Sequence, residues 1–380
     1  MIQSAKRLDT VQEYYFSKKL REVRELAAVG KPIINMGIGS PDLQPPTKVI
    51  TAIQQSFNDA VAHKYQSYQG LPELRNAIAE FYEQKFNVIA NPTNEILPLM
   101  GSKEGIMHIS MAFLNEGDQV LIPNPGYPTY TSVTKLVGAE PLFYELEETN
   151  DWQPNIKALE TLDLTKVKIM WVNYPHMPTG TNALKETFEK LIAFGKKHQI
   201  LIINDNPYSF ILNNNPLSIL QVDGAKDVAL ELNSMSKTFN MAGWRVGMVL
   251  GSSTYINEIL KVKSNMDSGM FYGIQKGAIE ALQLSDDWFN QQNKIYEERR
   301  SLVFKLADKL NCTYNQNSTG LFVWAKIPTG KTAEEVTDTI LYDKDIFITP
   351  GTVFGSQGEG YIRFSLCVSK EVINNAINRF

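Results

Sequence analysis

Residues 234–247, SMSKTFNMAGWRVG, set a lysine among small hydroxyl residues, with an arginine eight positions further on and glycines close to it. Arginine's planar fork suits bidentate recognition of phosphate. A lysine withdrawn from water beside other cations has a lowered pKa and becomes a nucleophile for carbonyl carbon. Lys237 is therefore a candidate for attack on an aldehyde, and Ser234, Ser236 and Arg245 are candidates for holding that aldehyde's phosphate. Taken singly, such a lysine is far more often a solvated surface residue, so the rest of the chain must decide.

Other candidates follow apolar runs. GSKEG, residues 101–105, follows EILPLM and opens a helical stretch. Gly101 and Ser102 would then lie at a helix N-terminus, where free N–H groups and the helix dipole favour an anion. Taken alone, the segment reads as an ordinary helix cap by Ser102. It is not a Walker loop, which needs G-x-x-x-x-G-K-[ST], and GIGS near residue 38 lacks the spacing of a dinucleotide fingerprint. Tyr127, in PNPGYPTY after DQVLI, could stack on a flat ring or simply pack in its loop. Asp205 closes the run QILIIN, and a buried carboxylate needs a partner. A protonated ring nitrogen would serve; capping of the next turn is the alternative. Tyr208, three positions on, could donate to a ring oxygen. An aldehyde, a ring nitrogen needing a carboxylate, a ring oxygen and a phosphate together describe pyridoxal phosphate, and the odds against the lysine reverse.

The elements that must position these residues are legible as alternation. From about residue 95, seven short apolar runs (EILPLMG, DQVLIPNP, EPLFYEL, KIMWVNYP, QILIINDNPY, VALELNSMS and RVGMVLG) are interleaved with helical stretches such as SKEGIMHISMAFL and ALKETFEKLIAFGKKH. That predicts an α/β fold with a mostly parallel seven-stranded sheet. RVGMVLG follows its predecessor too closely for a helical crossover, so one antiparallel strand is expected. Helices are expected near 47–57 and 72–86, and HKYQSYQG between them reads as an irregular loop. The first 30 residues read as one charged amphipathic helix ending at Gly30. After about residue 285, a long charged helix, LFVWAKI, a helix near TAEEVTDTIL and YIRFSLC predict a smaller α+β domain. The expected division is an N-terminal arm, 1–45, joining the small domain; a large domain, 46–285; and the small C-terminal domain, 286–380.

Composition excludes several classes. A length of 380 residues suggests two domains, and 43% hydrophobic with 21% charged residues is ordinary for a globular protein. A net charge of −4 argues against nucleic acid or an anionic membrane as main partner. Cys312 and Cys367 have no metal-ligand spacing, and the four histidines are scattered, so no metal site is expected. With few cysteines, no signal-like N-terminus and no long apolar run, the expected location is the reducing cytoplasm.

On these motifs the chain resembles the class I/II aminotransferases, fold-type I pyridoxal-phosphate enzymes. The likeness runs from NMGIGSPDL to YIRFS, and its most specific part is SMSKTFNMAGWRVG, which matches S-x-S-K followed by G-x-R-x-G. The resemblance implies a Lys237 aldimine, with Lys237 also moving the proton. It implies Asp205 on the ring nitrogen, Tyr208 on the phenolic oxygen and Tyr127 stacked on the ring. Ser102, Lys103 (through its backbone), Ser234, Ser236 and Arg245 would hold the phosphate. Tyr65, in KYQSYQG, is similar to a tyrosine that reaches the phosphate of the neighbouring subunit, which implies a homodimer with shared active sites. Arg363, in YIRFS, would grip the substrate α-carboxylate, with help from the Gly39 backbone. One position departs from the pattern: where the family has the asparagine of N-P-T-G, this chain has Met177 in NYPHMPTG. Methionine cannot donate to the phenolic oxygen, so a raised aldimine pKa is expected; compensation by His176 or Asn173 is the alternative. The resemblance also implies cis bonds at Asn124–Pro125 and Met177–Pro178.

The leading function is transfer of an amino group between an amino acid and a 2-oxo acid. KSNMDSGMFYGIQ, residues 263–275, is similar to members acting on diaminopimelate, alanine or aspartate-type donors. A C–S β-lyase on the same scaffold is the alternative, since the cofactor carries the chemistry in both. A non-catalytic binding protein of the same fold is more remote.

Overall fold

The computed structural model describes residues 2–11 and 15–380. A short strand, β1 (Ile34–Asn35), precedes a seven-stranded sheet made of β2 (Ile96–Leu99), β3 (Gln119–Asn124), β4 (Glu140–Glu145), β5 (Val167–Val172), β6 (Leu201–Asp205), β7 (Ala229–Ser234) and β8 (Gly247–Gly251). These are the seven apolar runs, in the spatial order β2-β8-β7-β6-β5-β3-β4. Strands β3 to β7 pair in parallel, whereas β8 is antiparallel to both β2 and β7. Residues 235–246 leave too little chain between β7 and β8 for a covering crossover helix, which forces the reversal.

Every position of β2, β6, β7 and β8 is buried. Helices cover both faces, so these strands are continuous apolar runs rather than alternating ones. The two faces feed two cores: Ile169, Trp171 and Ile203 belong to one, and Met170, Val172 and Ile202 to the other. Successive side chains on a strand point to opposite faces, which fixes this register. It leaves the last residues of the parallel strands to line one edge of the sheet.

The remaining strands are β9 (Thr313–Tyr314), β10 (Phe322–Lys326), β11 (Ile346–Phe347), β12 (Thr349–Pro350) and β13 (Tyr361–Ser365). Four of them form an antiparallel sheet in the order β12-β13-β10-β9, and β11 pairs in parallel with β1. The segment after β1 is tied down by Asp42, whose carboxylate accepts from both terminal nitrogens of the buried Arg299, at 2.6 and 2.8 Å. Arg299 sits on the long helix Asp286–Lys309. A bidentate pair of this kind fixes geometry as well as adding energy, and it holds residues 37–42 beside β13.

The expected single helix over the first 30 residues is not formed. Residues 6–8 make a 3₁₀ turn, and the α-helix is Tyr15–Ala28; residues 12–14 lie outside the described residues. The difference has a packing cause. Residues 2–10 bury nothing, whereas the later helix inserts Val23 against Leu341 and Phe347 and joins Lys19 to Asp338 at 2.9 Å. Burial of an apolar face, more than propensity, stabilises a helix of this length. No described helix is long and apolar enough to cross a membrane.

Candidate active site

The carboxyl ends of β5, β6 and β7 and the loop after β3 open on one cavity of about 430 Å³. That is where ligands bind in open α/β sheets. Its floor and walls are built from three groups of side chains.

The first is a cationic and hydroxyl-rich cradle. The helix Ser102–Phe113 is preceded by Gly101, with φ of +89°, and no side chain caps its first turn. Ser102 is therefore the first helical residue rather than the cap. A Cβ at Gly101 would stand 2.1 Å from Arg245 Nη2, and one at Gly247 would stand 2.7 Å from the Ser102 nitrogen. The two glycines let Arg245 and β8 close on the helix start. Ser234 caps the short helix Met235–Thr238: its Oγ accepts from the Ser236 N–H at 3.1 Å and donates to Ser236 Oγ at 2.9 Å. Arg245 Nη1 reaches Ser236 Oγ at 3.5 Å and donates to the Ala242 carbonyl at 2.9 Å. Arg245 itself is left-handed, with φ of +59°. That conformation costs a non-glycine residue about 1–2 kcal/mol and persists where surroundings over-determine it. Lys103 lines the same end, and burial together with Arg245 lowers its pKa. Free N–H groups, two hydroxyls and a guanidinium make an anion site.

The second group is Lys237 with Asp205. Lys237 is carried by the short helix after β7, and its Nζ donates to the Gly39 carbonyl at 2.5 Å. Burial lowers its pKa, and Arg363 and Arg245 push the same way. A desolvated amine of lowered pKa is poised to be neutral and nucleophilic. Asp205 ends β6 and is 4% exposed. Its Oδ2 accepts from the Tyr130 hydroxyl at 2.8 Å, while its Oδ1 is buried with no hydrogen-bond partner among the described residues. Burial pushes the carboxyl up to about 7, against the pull of Tyr130. The expected alternative, a cap on the next turn, is not what this carboxylate does. Tyr208 and Tyr127 also line the cavity, and burial raises both phenols.

The third group surrounds Arg363, on β13. Its Nη2 donates to the Gly37 carbonyl at 2.8 Å, and its Nη1 to Met177 Sδ at 3.3 Å. The guanidinium carbon lies 3.9 Å from the Phe322 ring centroid and 4.6 Å from that of Phe354. The loop carrying Met177 contains cis bonds at Tyr174–Pro175 and Met177–Pro178, and a third precedes Pro125.

Residues 31–380 match the family model described as aminotransferase class I and II. The chain belongs to that family. It is 40% identical over 378 residues to an LL-diaminopimelate aminotransferase of Maridesulfovibrio salexigens, covering 99% of this chain and 97% of the relative. A relative of the same name from Aquifex aeolicus is 37% identical, covering 100% and 98%. Among solved structures, apo-BacF of Bacillus subtilis superposes with a TM-score of 0.96 at 33% identity, over 100% of this chain and 98% of that one. An aminotransferase from Staphylococcus aureus gives 0.90 at 30%, over 99% and 98%.

In this aminotransferase the expected residues Gly39, Ser102, Lys103, Tyr127, Asp205, Tyr208, Ser234, Ser236, Lys237, Arg245 and Arg363 all line the one cavity. Tyr65 does not: it is 90% exposed on the loop after residue 63. Of the two proposed substitutes for the family asparagine, Asn173 lines the cavity and His176 does not. His176 points Nδ1 at Thr179 Oγ1, 2.8 Å away, does not line the cavity, and is held neutral by burial, which pulls its pKa to about 3. Asn173 donates to the Asp205 carbonyl at 2.5 Å and accepts from the Met177 N–H at 2.9 Å.

Sequence reasoning missed Tyr130, which bonds Asp205 and stacks on Trp171 at 4.8 Å, and the rings that lie against Arg363. Tyr130 stands three residues after Tyr127, the spacing of one helix face, which was its only signal. Phe322 and Phe354 carried none, because their contacts join segments far apart in the chain.

Proposed function

We propose that this aminotransferase holds pyridoxal phosphate in the cavity, with the phosphate in the cradle of Ser102, Lys103, Ser234, Ser236 and Arg245 and the ring between Tyr127, Tyr208 and Asp205. The observation that carries this is the orphaned Asp205 Oδ1: a buried acceptor without a partner fits a protonated ring nitrogen. The close approach of Arg245 to Gly101, which a Cβ would block, sets the guanidinium beside the helix start and fits the phosphate cradle equally. Family members use this cofactor. When bound, it supplies an aldehyde for amines and a ring that withdraws electrons from the amine's carbon. Pairing with a ring N–H⁺ favours the ionised form of Asp205, offsetting the cost of its burial. Lys237, its pKa lowered by burial, is the nucleophilic amine and the group that takes and returns the substrate's Cα proton. Arg363 pairs with the substrate α-carboxylate, which positions the Cα–H toward Lys237. Tyr208 donates to the phenolic oxygen, and Tyr127 covers one ring face.

The names of the relatives support LL-diaminopimelate as the first amino donor to try, with a 2-oxo acid as acceptor. Visible absorption of the reconstituted protein tests this. Loss of the yellow band with the donor and its return with 2-oxoglutarate is the expected outcome. Pyruvate and ammonia from cystathionine without an oxo acid would mark the C–S lyase instead. A protein that stays colourless with pyridoxal phosphate would end the proposal.

We also propose a homodimer in which Tyr65 completes the partner's phosphate site. Its side chain is turned to solvent in a single chain, and Tyr68 and Phe271 are exposed as well. Mixing Tyr65→Ala and Lys237→Ala proteins should yield hybrid dimers with one intact site; mixtures that stay inactive after subunit exchange would refute the sharing.

A further inference from the structure

We propose that Met177 is an oxidation site at which peroxide closes the Arg363 carboxylate grip. The inference rests on Arg363 as the carboxylate-binding residue. Met177 lines the cavity, so a small oxidant in the substrate space meets its side chain. Its sulfur sits 3.3 Å from Arg363 Nη1, and its backbone N–H is fixed to Asn173 Oδ1 at 2.9 Å. The guanidinium cannot retreat. Aromatic rings lie against it at 3.9 and 4.6 Å, and Nη2 is tied to the Gly37 carbonyl at 2.8 Å. The sulfur is thus a neighbour of Nη1 that chemistry can change.

A thioether is a weak acceptor, so an incoming carboxylate displaces it easily. A sulfoxide is different. One sulfur lone pair attacks hydrogen peroxide, a new S–O bond forms, the O–O bond breaks, and the second oxygen leaves as water after proton transfer. Sulfur loses two electrons and peroxide gains them. The sulfoxide oxygen is a strong acceptor, one bond away from a sulfur already 3.3 Å from the cation. It competes with the substrate carboxylate for the same N–H and fills part of its space. Methionine sulfoxide is reversible by its reductases, so the site can be restored.

The test uses the full-length protein, hydrogen peroxide and propionate as the carboxylate probe. Peptide mass spectrometry follows oxygen uptake at each methionine while calorimetry follows propionate affinity. Wild type should lose affinity roughly tenfold or more, in proportion to oxygen gained at Met177, and methionine sulfoxide reductase should restore it. Met177→Leu, compared with itself before peroxide, should keep its affinity although the exposed Met100, Met111 and Met266 are oxidised as in wild type. The proposal fails if Met177 takes up no oxygen once Met266 is fully oxidised. It fails equally if Met177→Leu loses affinity as wild type does. Arg363→Gln separates the two layers: unoxidised Arg363→Gln binding propionate as tightly as wild type would remove the assignment of Arg363 itself.

Discussion

The buried carboxyl of Asp205 makes the cofactor-free protein sensitive to pH in a direction that can be worked out. Its pKa rises from 3.8 to about 7 on folding, chiefly by burial. Between those values the group is protonated when folded and ionised when unfolded. The folded state binds more protons there, so stability falls as pH rises, and the loss is complete above about pH 7. Each pH unit in that window costs about 1.4 kcal/mol, so the full penalty is about 4 kcal/mol, of which about 2 accumulates between pH 5.5 and 8. Asp205→Asn keeps the shape and can still accept from Tyr130, but it has nothing to ionise. Urea unfolding of both cofactor-free proteins at several pH values reads the difference. His176, with its pKa pulled to about 3 by burial, titrates in both and cancels. The variant should gain on wild type by about 2 kcal/mol from pH 5.5 to 8. A difference that stays flat, or that moves toward wild type, would refute the claim that Asp205 is desolvated, with Tyr130 as its one hydrogen-bond partner among the described residues, when no cofactor is bound.

Further outcomes follow from the same geometry. Tyr130→Phe removes the bond that pulls the Asp205 pKa down, so its pH-dependent loss of stability should extend to higher pH in the same urea series. Gly101→Ala adds a Cβ at 2.1 Å from Arg245 Nη2 and strains a φ of +89°; equilibrium binding should show a large loss of pyridoxal phosphate affinity, with inorganic phosphate affected in parallel. Met177→Asn restores a donor toward the phenolic oxygen, so the pH midpoint of the visible band should fall; an unchanged midpoint would mean that residue 177 does not face that oxygen. Arg363→Gln should raise KM for the amino donor far more than it changes the colour or cofactor affinity of the protein, as measured by steady-state kinetics and titration.

Much of this was legible in the sequence because the chemistry sits at the ends of apolar runs. Asp205, Ser234 and Lys237 close or follow strands whose burial the sequence announces, and the sheet's parallel order carries them to one edge. The antiparallel β8 was legible from chain length alone. The N-terminal helix was misjudged because its boundaries depend on whether Val23 finds Leu341 and Phe347, more than 300 residues away.

Local order fixed the elements, the helix N-terminus after Gly101 and the residue types of the anion cradle, since hydrogen bonding, propensity and strand spacing act over a few residues. Only the tertiary structure decided how those residues are charged and paired. The pKa of Asp205 depends on burial under two cores and on one hydroxyl 75 residues away. The aim of Arg363 depends on Gly37, Met177, Phe322 and Phe354, brought together from four segments. Desolvation and orientation are set by what surrounds a group in space, and a chain's neighbours in sequence are a small part of that.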